Sequence, residues 1–308
     1  MRLGHDRVWV RVPASSANLG PGYDSFGLAL TLYDEVEVAA TADPDVRVEV
    51  VGEGAGVVPS GADHLVARTI LETLDKVGAS RTGLRLRCTN AIPHGRGLGS
   101  SASAVVAGIL AVRGLLAEPD LLDDAAVLDL ATRYEGHPDN VAPTVFGGLT
   151  LAWTLDQTAR PRAVRLALHR DIQPVVAIPP TRLATETARR VLPLEVPHAT
   201  ASAQAARAAL LVEALGRRPD LLFEATVDRL HQEQRRSVMP DSLALVDALR
   251  RRGVPAVVSG AGPTVLAFGV RRTLDAEAEM HEVFGGVLGG WTITTLPADT
   301  DGGTVERQ

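Results

Sequence analysis

Apolar and polar positions change their period along this chain, and each change marks an element. Val8, Val10 and Val12 alternate with Trp9 and Arg11. Val46, Val48 and Val50 alternate with Arg47 and Glu49, and Leu84, Leu86 and Cys88 with Arg85 and Arg87. A period of two puts one face of a strand against a core, so these runs are expected strands and Cys88 is expected inside. Val66, Ile70, Leu74 and Val77 recur at helical spacing, and a second helix is expected from Ser100 or Ser101 through Val112. A third, over 120–134, has to stop at Glu135-Gly136-His137-Pro138-Asp139-Asn140, whose glycine and proline break it.

Strand-like residues return at 149–153, and the polar, Pro-containing segment 156–162 is the expected boundary between domains at 1–160 and 161–308. Beyond it the pattern predicts strands at 175–178, 256–258 and 264–268 and helices at 200–215 and 241–251. Strands and helices mix without regular βαβ alternation, which argues for an α+β fold. The tail 299–308 is polar and contains glycine, and is expected to fray.

Composition removes several function classes. The formal net charge of −6 supplies no basic field, so neither nucleic acid nor a membrane surface is expected as partner. The apolar stretch 104–112 falls short of the roughly 20 residues that span a bilayer, and residues 1–7 lack a signal-peptide apolar segment. A lone cysteine, Cys88, forms no internal disulfide, which fits a cytoplasmic protein. Lys76 is the single lysine, at the expected end of a helix, where a cation is favoured. A Walker A loop and a pyridoxal Schiff base both need a lysine, and this one is badly placed for either.

The candidate chemistry begins at Pro93-His94-Gly95-Arg96-Gly97-Leu98-Gly99-Ser100-Ser101-Ala102-Ser103. Glycines at alternate positions let the backbone bend close to a ligand, and two serines then open a helix whose free N–H groups favour an anion. The chemistry indicated is phosphate binding, although a glycine-rich turn with a serine cap would read alike. Asn18-Leu19-Gly20-Pro21-Gly22-Tyr23-Asp24 puts an amide and a carboxylate on a loop, as turn formers or as ligands. Glu135 and Asp139 offer oxygen ligands of the kind a nucleotide's hard cation needs, whereas His137 has no second histidine at zinc-like spacing. Ser259-Gly260-Ala261-Gly262-Pro263-Thr264 is either a tight hairpin or a place where another backbone or a ligand comes close.

Together, and in this order, residues 13–24, 93–103 and 259–264 resemble the three motifs of the GHMP kinase superfamily, and the likeness runs from about residue 8 to 270. Within it the chain is most similar to the homoserine kinase family. That likeness is carried by residues 16–27, by Glu135 to Val141 with Phe146-Gly147-Gly148, by Thr185-Glu186-Thr187-Ala188-Arg189, and by His231-Gln232-Glu233-Gln234-Arg235.

The resemblance implies a first domain like domain 2 of ribosomal protein S5, a ferredoxin-like second domain, and an active site between them. It implies that ATP phosphorylates the hydroxyl of L-homoserine, for threonine biosynthesis, with Mg2+ held by Ser101 and Glu135. The 93–103 loop would wrap the triphosphate, Asn18 and Asp24 would receive the substrate ammonium, and Arg189 and Arg235 its carboxylate. Asn140 would position the attacking hydroxyl and Thr185 would lie near the γ-phosphate. A homodimer is compatible with this reading and not required by it. The chain departs from the pattern at His64, where the family usually has Asn at the adenine contact, and in the short turn from Glu135 to His137.

The rival among enzymes is a relative acting on mevalonate or a sugar, but mevalonate has no ammonium for Asp24. The rival from another class is a non-catalytic nucleotide or RNA binder, which the acidic charge disfavours.

Overall fold

In the computed structural model, which describes residues 2–284 and 289–308, the chain is α+β and is built on two sheets. Met1 lies outside the described residues. The first sheet holds β1 (Arg7–Ala17), β2 (Phe26–Thr41), β3 (Val46–Gly52), β4 (Gly83–Asn90), β5 (Leu149–Thr154), β6 (Pro161–Leu166) and β11 (Thr304–Arg307). Its main path runs β11-β1-β2-β4-β3, and β5 joins β2 to β6. β3 and β4 are parallel and the other pairs antiparallel.

Four helices cover this sheet: α1 (Leu65–Lys76), α2 (Ser100–Leu115), α3 (Asp124–Glu135) and α4 (Val141–Phe146). The alternating valines of β1 point into their core, and Cys88 is fully buried there, which pushes its thiol up to about 12. The third helix starts later than its apolar pattern suggests. Asp123 accepts the N–H of Ala126 at 2.8 Å and caps α3, and 119–122 becomes a tighter turn instead.

The second sheet is fully antiparallel, in the order β10-β7-β9-β8, with β7 (Ile172–Ile178), β8 (Ala256–Val258), β9 (Val265–Val270) and β10 (Thr292–Thr295). Between β7 and β8 come α5 (Thr185–Arg190), α6 (His198–Gly216), α7 (Leu222–Ala225) and α8 (Pro240–Arg251), and α9 (Ala276–Phe284) links β9 to β10. A βαββαβ succession with spatial order 4-1-3-2 is the ferredoxin-like arrangement. Helices α8 and α9 cover one face with Leu243, Leu249 and Met280. The other face shares a core with the first half of the chain, where Leu19, Phe26, Leu28 and Leu98 meet Val176, Leu266 and Phe268.

The expected boundary at residue 160 falls in the turn of the β5–β6 hairpin, which pairs from Thr154↔Pro161 to Leu149↔Leu166. The expectation of a frayed tail is overturned. β11 pairs with β1 from Arg11↔Thr304 to Val8↔Arg307, because β1 would otherwise leave a row of backbone groups unpaired at the sheet edge. Among the described residues no helix is long and apolar enough to cross a membrane.

Candidate active site

The shared core brings three loops together, and a cleft of about 310 Å³ opens where they meet α2, α3 and α5. Its floor is the N-terminus of α2. Gly99 caps this helix in the left-handed conformation, with φ 73°, and contributes no side chain; the first turn carries no acid. The leading N–H groups of α2 are thus left to a ligand, with the positive end of the helix dipole behind them.

Two glycines of this loop are required by contacts as well as by φ. A Cβ on Gly97 would lie 2.4 Å from the Ser259 carbonyl oxygen, and one on Gly99 would lie 2.1 Å from Ser15 Oγ. The 259–264 loop presses on the phosphate-type loop from behind. Ser259 Oγ donates to Gly97 O at 2.6 Å, Thr264 N–H to Arg96 O at 3.1 Å, and Gly260 N–H to Ala17 O at 3.0 Å. The run of small residues serves a backbone approach.

Not every residue of 93–103 faces the cleft. Gly95, Gly97, Gly99, Ser100 and Ser101 line it. Leu98 and Ala102 are buried in the cores, and Ser103 Oγ donates inward to Pro13 O at 2.9 Å. Pro93 and Arg96 line neither this cleft nor its neighbour, and Arg96 pairs with Glu53 at 3.0 Å. The neighbouring hollow, about 270 Å³, shares Ser100 and Ser101 with the cleft and is walled by Val12, Val36, Val58, Leu65 and Val66. His94 and His64 line it. His64 is 6% exposed, and its buried Nδ1 has no partner among the described residues. Asp34, also on this wall, accepts the N–H groups of Ala91 and Ile92, and burial pushes its carboxyl up to about 6.

Glu135 ends α3 and is followed by Gly136 in the left-handed conformation, so its side chain turns toward α2. Ser101 Oγ donates to Glu135 Oε1 at 2.5 Å. Burial raises the Glu135 pKa, and the Ser101 hydroxyl opposes the shift. Beyond it, His137 Nδ1 and Asp139 Oδ1 are in close contact, and Asp139 Oδ1 also accepts the Asn140 N–H at 2.9 Å. Burial opposes charge on His137, but the Asp139 carboxylate outweighs it and leaves the imidazole pKa raised. Asn140 stands at the start of α4 with its Oδ1 accepting from Ser15 Oγ at 3.0 Å, which directs its amide nitrogen elsewhere.

On the opposite wall, loop 18–24 holds three non-glycine residues at positive φ, Asn18, Leu19 and Asp24. Asn and Asp tolerate that region, whereas Leu does so under strain that the surrounding core has to impose. Asn18 is 3% exposed and braces the loop: its Nδ2 donates to Gly260 O at 2.9 Å and its Oδ1 accepts the Asp24 N–H at 2.9 Å. Asp24 and Arg189 form a two-pronged ion pair at 2.6 and 3.2 Å, and Tyr23 Oη accepts from Arg189 at 3.0 Å. Thr185, one turn before Arg189 on α5, also faces the cleft.

Arg235 is different in kind. It is 1% exposed and lines the cleft, and no carboxylate among the described residues lies within ion-pair distance of it. Nε donates to Ala188 O at 3.2 Å, and Nη1 to Gly260 O and His231 Nδ1, both at 3.1 Å. Nη2 makes no hydrogen bond among the described residues. Burial lowers the guanidinium pKa, the mark of a cation held out of water without a counter-ion.

The sequence motifs thus meet: Asn18, Ser101, Glu135, Asn140, Thr185, Arg189 and Arg235 line one cleft, with Asp24 held against Arg189. Sequence reasoning did not single out Tyr23, Tyr134 or Leu183, and named His231 only as part of a motif. Tyr134 and Leu183 line the cleft; Tyr23 and His231 pack behind it with ring centroids 5.0 Å apart and planes tilted by 40°. Asp24, His137 and Asp139 have ligand atoms within 4.8 Å of one another. With Arg189 already on Asp24 and the His137 pKa raised, this trio is a poor site for a divalent metal.

Residues 64–148 match the family model described as GHMP kinases N terminal domain, and residues 206–283 the one described as GHMP kinases C terminal. The chain is 50% identical over 299 residues to the homoserine kinase of Streptomyces avermitilis, covering 97% of this chain and 95% of that protein. It is 48% identical over 289 residues to the homoserine kinase of Mycobacterium tuberculosis, covering 92% of this chain and 90% of that one. The crystal structure of homoserine kinase from Cytophaga hutchinsonii superposes with a TM-score of 0.85 at 26% identity, covering 98% of each chain.

Proposed function

The chain belongs to the homoserine kinase family of the GHMP kinases, and on that premise we propose how its cleft moves the γ-phosphoryl group of ATP to the side-chain hydroxyl of L-homoserine. The observation that carries the reading is Arg235, a buried guanidinium with an unused Nη2 and no carboxylate partner, lining the same cleft as the N-terminus of α2. A substrate bearing a carboxylate supplies the missing partner.

The base and ribose of ATP occupy the apolar hollow beside His64, and the triphosphate crosses Ser100 and Ser101 onto the N-terminus of α2. The residues also fit a hard cation, because the Ser101 hydroxyl and Glu135 carboxylate are adjacent oxygen donors and Glu135 has no cationic partner in the ion pairs of the described residues. Mg2+ held there would offset the charge on the phosphates. Homoserine lies with its carboxylate on Arg235 and Arg189, its ammonium on Asp24, and its hydroxyl toward Asn140. Thr185 faces the γ-phosphoryl group from α5. Asn18 supports this arrangement by holding Asp24 and the Gly260 carbonyl in place. The same reading places the enzyme in the cytoplasm, with a homodimer compatible with it. The test is ATP-dependent phosphorylation of homoserine, mevalonate and a sugar side by side. Homoserine is expected to have by far the highest kcat/KM, and an equal value for either alternative would overturn the reading.

In this arrangement the hydroxyl faces the Asn140 amide, which cannot accept a proton at neutral pH, so the hydroxyl proton passes to an oxygen of the transferring phosphoryl group and not to a side chain. Asp139 is the alternative base, but its Oδ1 already serves His137 and the Asn140 N–H. An asparagine at 139 keeps that acceptor oxygen. Asp139→Asn is therefore expected to lower kcat less than tenfold, against the roughly 10² to 10⁴ that a general base contributes. A folded variant that loses several orders of magnitude in kcat at unchanged KM would make Asp139 the base.

A further inference from the structure

We propose that His231 is a positioning residue that orients the Arg235 guanidinium for a substrate carboxylate. The inference rests on the reading of Arg235 given above.

His231 is fully buried and lies one turn before Arg235. Its ring joins two elements of the site. Nε2 is 2.8 Å from the Gly20 carbonyl oxygen, on the loop that carries Asp24, and Nδ1 is 3.1 Å from Arg235 Nη1. Each neighbour can play only one part. A carbonyl oxygen accepts, so Nε2 carries the proton, and a guanidinium donates, so Nδ1 carries the lone pair. The ring is thereby held neutral, in one tautomer and one orientation. Burial and the adjacent guanidinium both disfavour an imidazolium, while Asp228, with Oδ1 3.5 Å from Nε2, pulls the other way.

Asp228 is itself engaged. It accepts the backbone N–H groups of His231 and Gln232 at 2.9 and 2.8 Å and the Gln204 amide at 2.7 Å. The turn carrying His231 is therefore fixed independently of the ring. The Tyr23 ring packs beside the imidazole.

Three acceptors set the plane of the Arg235 guanidinium: Ala188 O, Gly260 O and His231 Nδ1. The first two are backbone atoms that every sequence provides. His231 is the only side chain of the three, so it is where the direction of Nη2 depends on residue type. Because the same ring ties down Gly20, it also sets Arg235 relative to the loop that presents Asp24. The separation between the carboxylate and ammonium subsites then depends on this imidazole together with the Asn18–Gly260 contact.

The experiment compares L-homoserine with L-homoserine amide, whose carboxylate is replaced by a neutral group, in wild type, His231→Leu, His231→Asn, Arg235→Ala and the double variant His231→Leu/Arg235→Ala. Loss of one hydrogen bond to a charged group is expected to reduce kcat/KM for homoserine about tenfold in His231→Leu. The effect on the amide is expected within about twofold, on the scale of a lost neutral contact, with the KM for ATP unchanged. Asn places an acceptor oxygen near the position of Nδ1, and His231→Asn is expected to recover part of the loss. On the Arg235→Ala background, His231→Leu is expected to cost no more than about a further twofold, the loss of its neutral bond to Gly20. Equal losses on the two substrates, an undiminished loss on that background, or wild-type behaviour of His231→Leu would each overturn the proposal.

Should His231→Leu not fold, His231→Phe, which fills the ring's place without an acceptor, carries the same comparison. Nitrogen-15 spectra of the wild type give a further reading, expected to show a neutral ring protonated at Nε2; a ring protonated at Nδ1, or at both nitrogens, at pH 7 would also overturn it. If Arg235→Ala costs the two substrates equally, the carboxylate reading fails and the His231 proposal with it. If Arg235→Ala discriminates between them and His231→Leu does not, the His231 proposal alone fails.

Discussion

Replacing Glu135 by Gln is expected to lower kcat by about a hundred- to a thousandfold, the range seen when one preorganised electrostatic group is removed from a reacting centre. The substitution is close to isosteric. A glutamine Oε1 still accepts from Ser101 Oγ, and α3 still ends at Gly136, so thermal stability and the KM for homoserine are expected to stay near wild type. What disappears is a negative charge at a half-buried position beside the N-terminus of α2, where partial desolvation already raises the carboxyl pKa. Such a charge is costly without a cation and serves to hold one. Titrating kcat against Mg2+ concentration checks this. The variant should require more Mg2+ and still reach a lower plateau, and near-normal turnover at limiting Mg2+ would remove Glu135 from the site.

Arg235→Ala is expected to reduce kcat/KM for homoserine by thirtyfold or more while barely changing the KM for ATP. Removing one partner of a shielded charge pair costs about 2 to 5 kcal/mol, and about 1.4 kcal/mol is tenfold. Homoserine amide should suffer much less from the substitution. The variant also leaves Ala188 O without its guanidinium donor, so a stability loss of about 1 to 3 kcal/mol is expected alongside. Arg235→Lys separates the two effects, since it keeps the charge and loses the fork. Arg189→Ala is expected to cost less. Arg189 starts in an ion pair with Asp24, and opening that pair offsets part of what it offers the substrate. Equal losses on homoserine and its amide would show that Arg235 does not read the carboxylate.

Where one face of an element meets a core, the chain announced it: the valines of β1 up to Val12, β3, β4 and α1 all follow their period. The alternation fails where both faces are covered. β1 continues through Pro13 to Ala17 as a wholly buried run, because the shared core takes over the face that solvent would have had. β2 begins as Phe26 to Leu30, all buried, and alternates only near Val36 and Val38; a register shift between Pro13 and Ala14 of its partner separates the two halves. No local pattern marks such a strand. The phosphate-type loop and Glu135 were legible because glycines at fixed offsets and a helix stop constrain the backbone locally. Tyr23 and His231 were not, since each takes its meaning from a contact with a segment more than 160 residues away.

The return of β11 to β1 also has a consequence for how the molecule is made. Val8 pairs with Arg307, and the Gln308 N–H donates to the Arg7 carbonyl at 3.1 Å, so the edge of β1 is covered by residues 304–308, far away in sequence. Chains emerge from the ribosome N-terminus first, at about 5 to 20 residues per second, and each domain generally folds as its residues become available. Here β1 emerges early and then waits, with one edge open, until the distant β11 follows. Bringing residues so distant in sequence together is slow, because the loop has to be closed before the contact is made. Vectorial folding of the N-terminal half is thus left incomplete until β11 has emerged. Over that interval the unpaired edge of β1 is the natural place for a chaperone to hold the nascent chain, or for a second chain to pair wrongly.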